Sequence, residues 1–431
     1  MQRAFPQIFT EASVYSKKEF ASVLERMNDE AAIISEKLDT FQFDVTGVVI
    51  IDNEPMVIFP KGYSISSDER SLRVEARNLL KTLIRYWSEK HQNPDEIELL
   101  QGGKERRNGR IVSALSLLED YAINGWIQRK EANEFSKSNG FVNWAKTINE
   151  KTPIIANNSV LYFDLAVKSF NLDRNNLISK IHKQVIQECH KLFGWLTDYD
   201  FDFEQIEEIE FTNEEMVIFL KQELRKTFVQ REIYVMNLLV QYLSAQVGAI
   251  ENKSYEIFAT RYFQYVWEDI CGTILENEYN SLKVLVPSPK WEGAPFSTSL
   301  SQIPDIMFTE KDSLYVADAK FYDYRKSTPG WHDSVKQFFY SYTIEQNLKY
   351  NSLIQRDFGF IKRIFNIFIL PENEDVSYKR LGEIHVEHVD SLGKIFVFSY
   401  NMKKALDIYS KRESNDSRKL LISTVEHLMN E

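Results

Sequence analysis

The sequence predicts a mixed α/β (α+β) protein: an N-terminal α/β domain over residues 1–165, a helical middle over 166–253, and a C-terminal mixed sheet flanked by helices over 254–431. Three observations lead there. Residues 303–308 and 314–320 are apolar, β-branched runs around the polar break Thr309-Glu310-Lys311-Asp312-Ser313, the pattern of two strands and a tight turn. A second such pair, 43–51 and 56–61, flanks Asp52-Asn53-Glu54-Pro55, whose residues favour turns. Between the two pairs, 177–196 and 214–247 repeat apolar residues at helical period.

Composition narrows the class. A chain of 431 residues suits two or three domains, and a 43% hydrophobic content supplies cores for them. Cys189 and Cys271 are too few for a structural zinc site or a disulfide framework, so both read as small buried hydrophobes in a reducing cytoplasm. No apolar leader and no apolar run of about 18 residues is present, so neither export nor a membrane span is expected. A formal net charge of −11 opposes DNA binding overall, because affinity for DNA rests largely on Lys and Arg neutralising phosphates. Any DNA contact must come from a local basic surface.

Taken in order, residues 17–38 read as one helix, with Phe20, Val23, Leu24, Met27, Ala31 and Ile34 at helical spacing. After the first strand pair, 67–90 read as a helix with Ser67 as N-cap. Arg70, Arg73, Arg77, Lys81 and Arg85 share one face of it, and Leu72, Leu79, Leu80, Leu83 and Trp87 cover the other. The cations either track a phosphate backbone or form a solvated face neutralised by Glu69 and Glu75. A glycine-bounded segment carrying Lys104, Arg106, Arg107 and Arg110 is a second basic element, able to meet DNA or a partner protein. It lacks the G-x-x-x-x-G-K-[ST] spacing, as does every other segment, so the chain is not expected to be its own NTP-driven motor. His182 and His190 read as ordinary helix residues. Beyond the second hairpin, 332–347 read as a helix, 362–370 and 394–398 as strands, and 401–431 as helical.

The second hairpin carries the chemistry. Strand side chains alternate faces, so Asp318 and Lys320 point to one side. A turn centred near Lys311 puts Asp305 opposite Ala317 or Asp318. Two carboxylates and an ammonium then converge, a set that can hold a hard cation such as Mg²⁺ and serve phosphodiester hydrolysis. The plainer alternative is a surface hairpin with a Lys–Asp pair.

Pro304-Asp305 followed by Asp318-Ala319-Lys320 resembles the core motif of the PD-(D/E)XK nuclease superfamily. That resemblance implies an acid on the preceding helix, here Glu268 on 263–271, with Asp269 or Glu276 as alternates. It also implies a role for Gln337 and Tyr340 on the following helix. Gly47, Phe59-Pro60-Lys61, residues 117–125, and Val142-Asn143-Trp144-Ala145-Lys146-Thr147-Ile148-Asn149 resemble the LlaJI family of restriction endonucleases, related to McrC. The likeness runs from about residue 45 to about 400. Trp144 is expected in a core. The resemblance implies a DNA endonuclease subunit of a prokaryotic restriction or antiphage system. Asp305, Asp318, the Ala319 carbonyl and Glu268 would ligate Mg²⁺ or Mn²⁺, and Lys320 would activate the attacking water. It further implies double-stranded DNA as substrate and an AAA+ GTPase or ATPase motor as partner, docked on residues 1–165. The rival readings are a free-standing type II-like endonuclease and an inert DNA- or protein-binding adaptor.

Overall fold

The computed structural model describes residues 6–27, 33–51, 54–89, 110–135, 141–142, 144–156, 159–173, 176–197, 199, 201, 203, 209, 211–246, 255–289, 302–373, 376–413 and 415–428. It is mixed α/β, as expected. The chain forms two compact units: Phe5–Arg107 with Lys253–Glu431, and Asn108–Asn252 with Met1–Ala4. This grouping differs from three consecutive segments, and strand pairing is the reason.

The larger unit contains two main sheets. The first is built from β1 (Gln7–Thr10), β2 (Thr46–Ile51), β3 (Glu54–Phe59) and β4 (Tyr255–Thr260), in the order β1-β3-β2-β4. The hairpin β2–β3 is the pair read from the turn residues. β4 returns from some 200 residues later to pair antiparallel with β2, with Phe258 opposite Val48 and Ala259 opposite Gly47. Gly47 makes that approach possible. Its φ is +148°, and a Cβ there would lie 2.3 Å from the Phe258 carbonyl oxygen.

The helix α1 (Glu69–Glu89) buries Leu72, Leu79, Leu80 and Leu83, the face read from the sequence. Its start differs from expectation. Asp68, not Ser67, caps it, accepting from the Ser71 N–H at 2.8 Å. The single helix expected over 17–38 is also replaced. Among the described residues of this stretch a helix occupies Ala21–Met27, and Ile34–Glu36 pair antiparallel with 41–43. Phe9, Tyr15, Phe20, Phe41 and Phe43 cluster there in edge-to-face and tilted pairs, so burial among aromatics overrides the helical spacing.

β4 leads directly into α2 (Phe263–Ile274). The second sheet follows: β5 (Ile306–Glu310), β6 (Ser313–Ala319), β7 (Arg363–Glu372), β8 (Tyr378–His385) and β9 (Lys394–Asn401), in the order β5-β6-β7-β9-β8. β5–β6 and β8–β9 are antiparallel, while β6–β7 and β7–β9 are parallel. Lys311 forms the β5–β6 turn with φ +53°. β6 lies between two neighbours and is buried along its whole length, as its continuous apolar run requires. β8 was not read from the sequence as a strand. It ends at His385. Between β6 and β7 runs α3 (Trp331–Tyr350), which covers Met307, Leu314 and Val316 with Ile344. The tail forms α4 (Met402–Lys411) and α5 (Ser417–Leu428).

The smaller unit packs the helix Arg110–Asn124 against Leu177–Phe193 and Gln230–Gln246. It is not wholly helical, since Val167–Asp173 forms a strand paired with Arg129–Phe135. The expected helix over 214–247 is divided into Asn213–Leu224 and Gln230–Gln246. Trp144 does not enter a core. It is 57% exposed, and Thr147 is the buried residue of its helix, accepting from the Ala166 N–H at 3.0 Å. Both cysteines are buried and free. Among the described residues no helix is long and apolar enough to cross a membrane.

His182 is fully buried, and its Nδ1 accepts from the Ile127 N–H at 3.2 Å. Burial pulls its pKa down from 6.5 to about 4, with Asp120 opposing and Arg231 assisting. The unfolded chain therefore binds this proton between those pH values and the folded chain does not, so stability falls as pH drops from about 6.5 to 4. The contribution is about 3 kcal/mol at most. Hydrogen exchange across the helix Leu177–Phe193 should lose protection over that range, and His182→Gln should flatten the loss. Equal pH slopes in the two proteins would refute the assignment.

Candidate active site

The site forms where β5, β6, α2 and the start of α3 meet. The register Ile306–Ala317, extended by one residue, sets Asp305 across from Asp318. The Ala319 N–H donates to Asp305 Oδ2 at 3.2 Å. Lys320 follows the end of β6, its N–H held by the Ile369 carbonyl of β7 at 2.9 Å. Its Nζ lies 2.8 Å from Asp318 Oδ2 and 3.3 Å from Asp333 Oδ1.

α2 brings Glu268. Phe263, Val266, Trp267, Ile270, Cys271 and Ile274 are its buried stripe, which leaves Glu268 half-buried beside it. Trp267 Nε1 donates to the same Ile369 carbonyl at 3.4 Å, joining the helix to the strand ends. After α2, Asn277 clamps the Asp305 strand. Its Nδ2 donates to the Asp305 carbonyl at 2.8 Å and its Oδ1 accepts from the Met307 N–H at 2.9 Å. The alternates to Glu268 are occupied elsewhere: Asp269 accepts from the Tyr409 hydroxyl, and Glu276 pairs with Arg418 at 3.5 Å.

The electrostatics are those of crowded acids. Burial, then the hydrogen bond and charge of Asp318 and the charge of Glu268, push the Asp305 carboxyl far above the usual range. Burial and the charge of Asp318 push Glu268 up to about 7, against the pull of Lys320. Burial works against the Lys320 ammonium, but Asp318, Asp305 and Asp333 together outweigh it and raise its pKa. Among the described residues no three His, Cys, Asp or Glu side chains are grouped as a complete metal cage. The Asp305–Asp318 pair still fits Mg²⁺, which needs only one or two carboxylates and keeps several waters. A divalent cation bound there would relieve the repulsion between the two carboxylates.

Glu268, Asp305, Asp318 and Lys320 are thus brought together, and Tyr340 lies near, its hydroxyl donating to the Ile303 carbonyl at 3.4 Å. Gln337 does not join them. It is fully buried, and its Nε2 donates to the Val316 carbonyl at 2.9 Å, tying α3 to β6. The basic surfaces also change. Arg73 pairs with Glu69 on its own helix. Arg85 stacks over Tyr409 at 4.1 Å and donates to its carbonyl, so it serves the α1–α4 packing. Arg77 is half-buried and Lys81 exposed. Arg110 is not a surface cation. It is 7% exposed, pairs with Glu188, and lies over Tyr242 at 4.7 Å. Lys104, Arg106 and Arg107 lie outside the described residues.

Asp333 and Asn277 were not found from the sequence. Asp333 left a faint signal, an acid three residues after the helix-starting Gly330, which the geometry makes a capping position. Asn277 left none, because its partners are backbone groups distant in sequence.

The family model described as LlaJI restriction endonuclease matches residues 45–403. The chain belongs to this family. The matched stretch includes Glu268, Asp305, Asp318, Lys320 and Asp333. The chain is also 22% identical, over 419 residues, to the type II restriction enzyme BsuMI component YdjA of Bacillus subtilis (strain 168), covering 91% of this chain and 87% of the relative. A chain in the half-complex from a tetradecameric assembly of Thermococcus gammatolerans McrB AAA+ hexamers with bound McrC aligns with a TM-score of 0.37 and 13% identity, over 94% of this chain and 98% of that one. A chain of the McrBC complex from the same organism aligns with a TM-score of 0.25 and 11% identity, over 61% and 84%.

Proposed function

We propose that the chain is the divalent-metal-dependent DNA endonuclease component of a restriction system. The observation that carries this reading is the meeting of Asp305 and Asp318 on paired strands, with the Lys320 ammonium 2.8 Å from Asp318. Asp305, Asp318 and the Ala319 carbonyl are the groups that would hold Mg²⁺ or Mn²⁺. Such an ion would supply charge neutralisation on the phosphate and a bound water of lowered pKa. Glu268, beside that pair, would assist through a water or a second metal ion. Lys320 directs the attacking water from Nζ and offsets charge on the phosphate oxygens.

A separate motor completes the proposal. The relative YdjA is named as one component of BsuMI, and this sequence has no G-x-x-x-x-G-K-[ST] loop. Both support an AAA+ NTPase acting with the nuclease. A fragment ending at residue 165 would divide the smaller unit, so the test uses the full chain.

Supercoiled plasmid is the substrate for that test. EDTA-stripped protein should leave it intact, and Mg²⁺ or Mn²⁺ should restore nicking, with the motor and its nucleotide raising the rate. Cleavage that persists in EDTA removes the metal role. Efficient cleavage with no motor supports the free-standing endonuclease, and none under any condition supports the inert adaptor.

A further inference from the structure

Asp333 is a fourth carboxylate at the site, contributed by the first turn of α3. Its two oxygens have different partners. Oδ2 accepts from the Tyr322 hydroxyl at 3.0 Å and from the Gly330 N–H at 3.3 Å. These bonds fix the carboxylate on the loop and on the helix start at once. Oδ1 is left for Lys320, 3.3 Å from Nζ. Helix capping needs only one oxygen, so the second contact is an additional feature of the design rather than a by-product of the cap.

Lys320 therefore touches two anions, Asp318 and Asp333. They are not equivalent under the function proposed above, on which this inference rests. Asp318 is a ligand, and its charge is shared with a cation once one binds. That cation also repels the ammonium. Asp333 is tethered by Tyr322 and Gly330 and is not among the groups that would hold the cation. We propose that Asp333 is a positioning residue, holding the Lys320 ammonium at the scissile phosphate when Asp318 is engaged by the metal ion.

The test uses the full chain with Asp333→Asn, which keeps both oxygen-side hydrogen bonds of the cap in shape but removes the charge. Tyr322→Phe, which loosens the tether, is the second variant. Single-turnover plasmid cleavage at saturating Mn²⁺ should slow about 10- to 100-fold in Asp333→Asn, and less in Tyr322→Phe. Mn²⁺ affinity, read by electron paramagnetic resonance, should change less than the cleavage rate, since Asp333 is no ligand. Lys320→Met should abolish the effect: the double variant should be no slower than Lys320→Met alone, a coupling that a purely structural cap would not show. Independently of activity, the ¹³C-methyl signal of reductively methylated Lys320 should remain displaced from mobile lysines when Mg²⁺ is added to wild type, and join them in Asp333→Asn. Additive rate losses, or a Lys320 signal indifferent to the substitution, overturn the proposal. If wild type itself cleaves nothing, the nuclease reading fails while the lysine signal still decides whether Asp333 holds Lys320.

Discussion

Asp318→Asn should abolish DNA cleavage, by on the order of a thousandfold or more, without unfolding the protein. The side chain is 5% exposed and sits among Asp305, Glu268 and Lys320. An amide keeps the shape and removes one of the charges that crowd the site. The melting temperature should hold or rise, because like charges at an active site are retained for chemistry at the expense of stability. Lys320→Met should lose activity comparably, with Asp318 then facing Asp305 unopposed. Single-turnover cleavage of plasmid at saturating Mg²⁺, beside thermal melts, measures both effects. Undiminished cleavage by Asp318→Asn, free of contaminating nuclease, would remove this residue from the mechanism.

Trp267→Ala should be the most damaging single change to the fold of the larger unit. The indole is fully buried, and its Nε1–H reaches the Ile369 carbonyl, the acceptor that also holds the Lys320 N–H. Truncation to Ala costs about 3–5 kcal/mol through lost burial and the cavity left behind. In a unit of this size that lowers the melting temperature by on the order of 10 °C. Trp267→Phe retains much of the burial but loses the donor and part of the ring, so it should cost less, about 1–2 kcal/mol. Because Glu268 is the next residue on the helix, cleavage should fall in parallel with stability in the Ala variant. A melt matching wild type would show that α2 is anchored by other contacts.

The hairpin, its Lys311 turn, the same-face placement of Asp318 and Lys320, and the helix bearing Glu268 were all legible in the sequence. Their signals are local: strand alternation, turn chemistry, and an apolar stripe at helical period. The same local periods misread residues 17–38, where an aromatic cluster takes the apolar side chains into a short helix and a strand. They also misread Trp144, since a large apolar residue on a short helix is buried only if a neighbour covers that face.

By itself, then, the sequence determined the secondary structure around the site and the meeting there of Asp305, Asp318 and Lys320, because those depend on residues a few positions apart. The tertiary structure alone decided the rest. β4 pairs with β2 across about 200 residues and carries α2 to the sheet, a pairing no local pattern encodes. Arg110 became a core cation because Tyr242 and Glu188 came to it, and Gln337 became a backbone clamp under β6. Asp333 reached Lys320 only because the packing of α3 brings its first turn beside the end of β6. Side-chain function at such positions is set by long-range contacts, and these exist only once the sheets have formed.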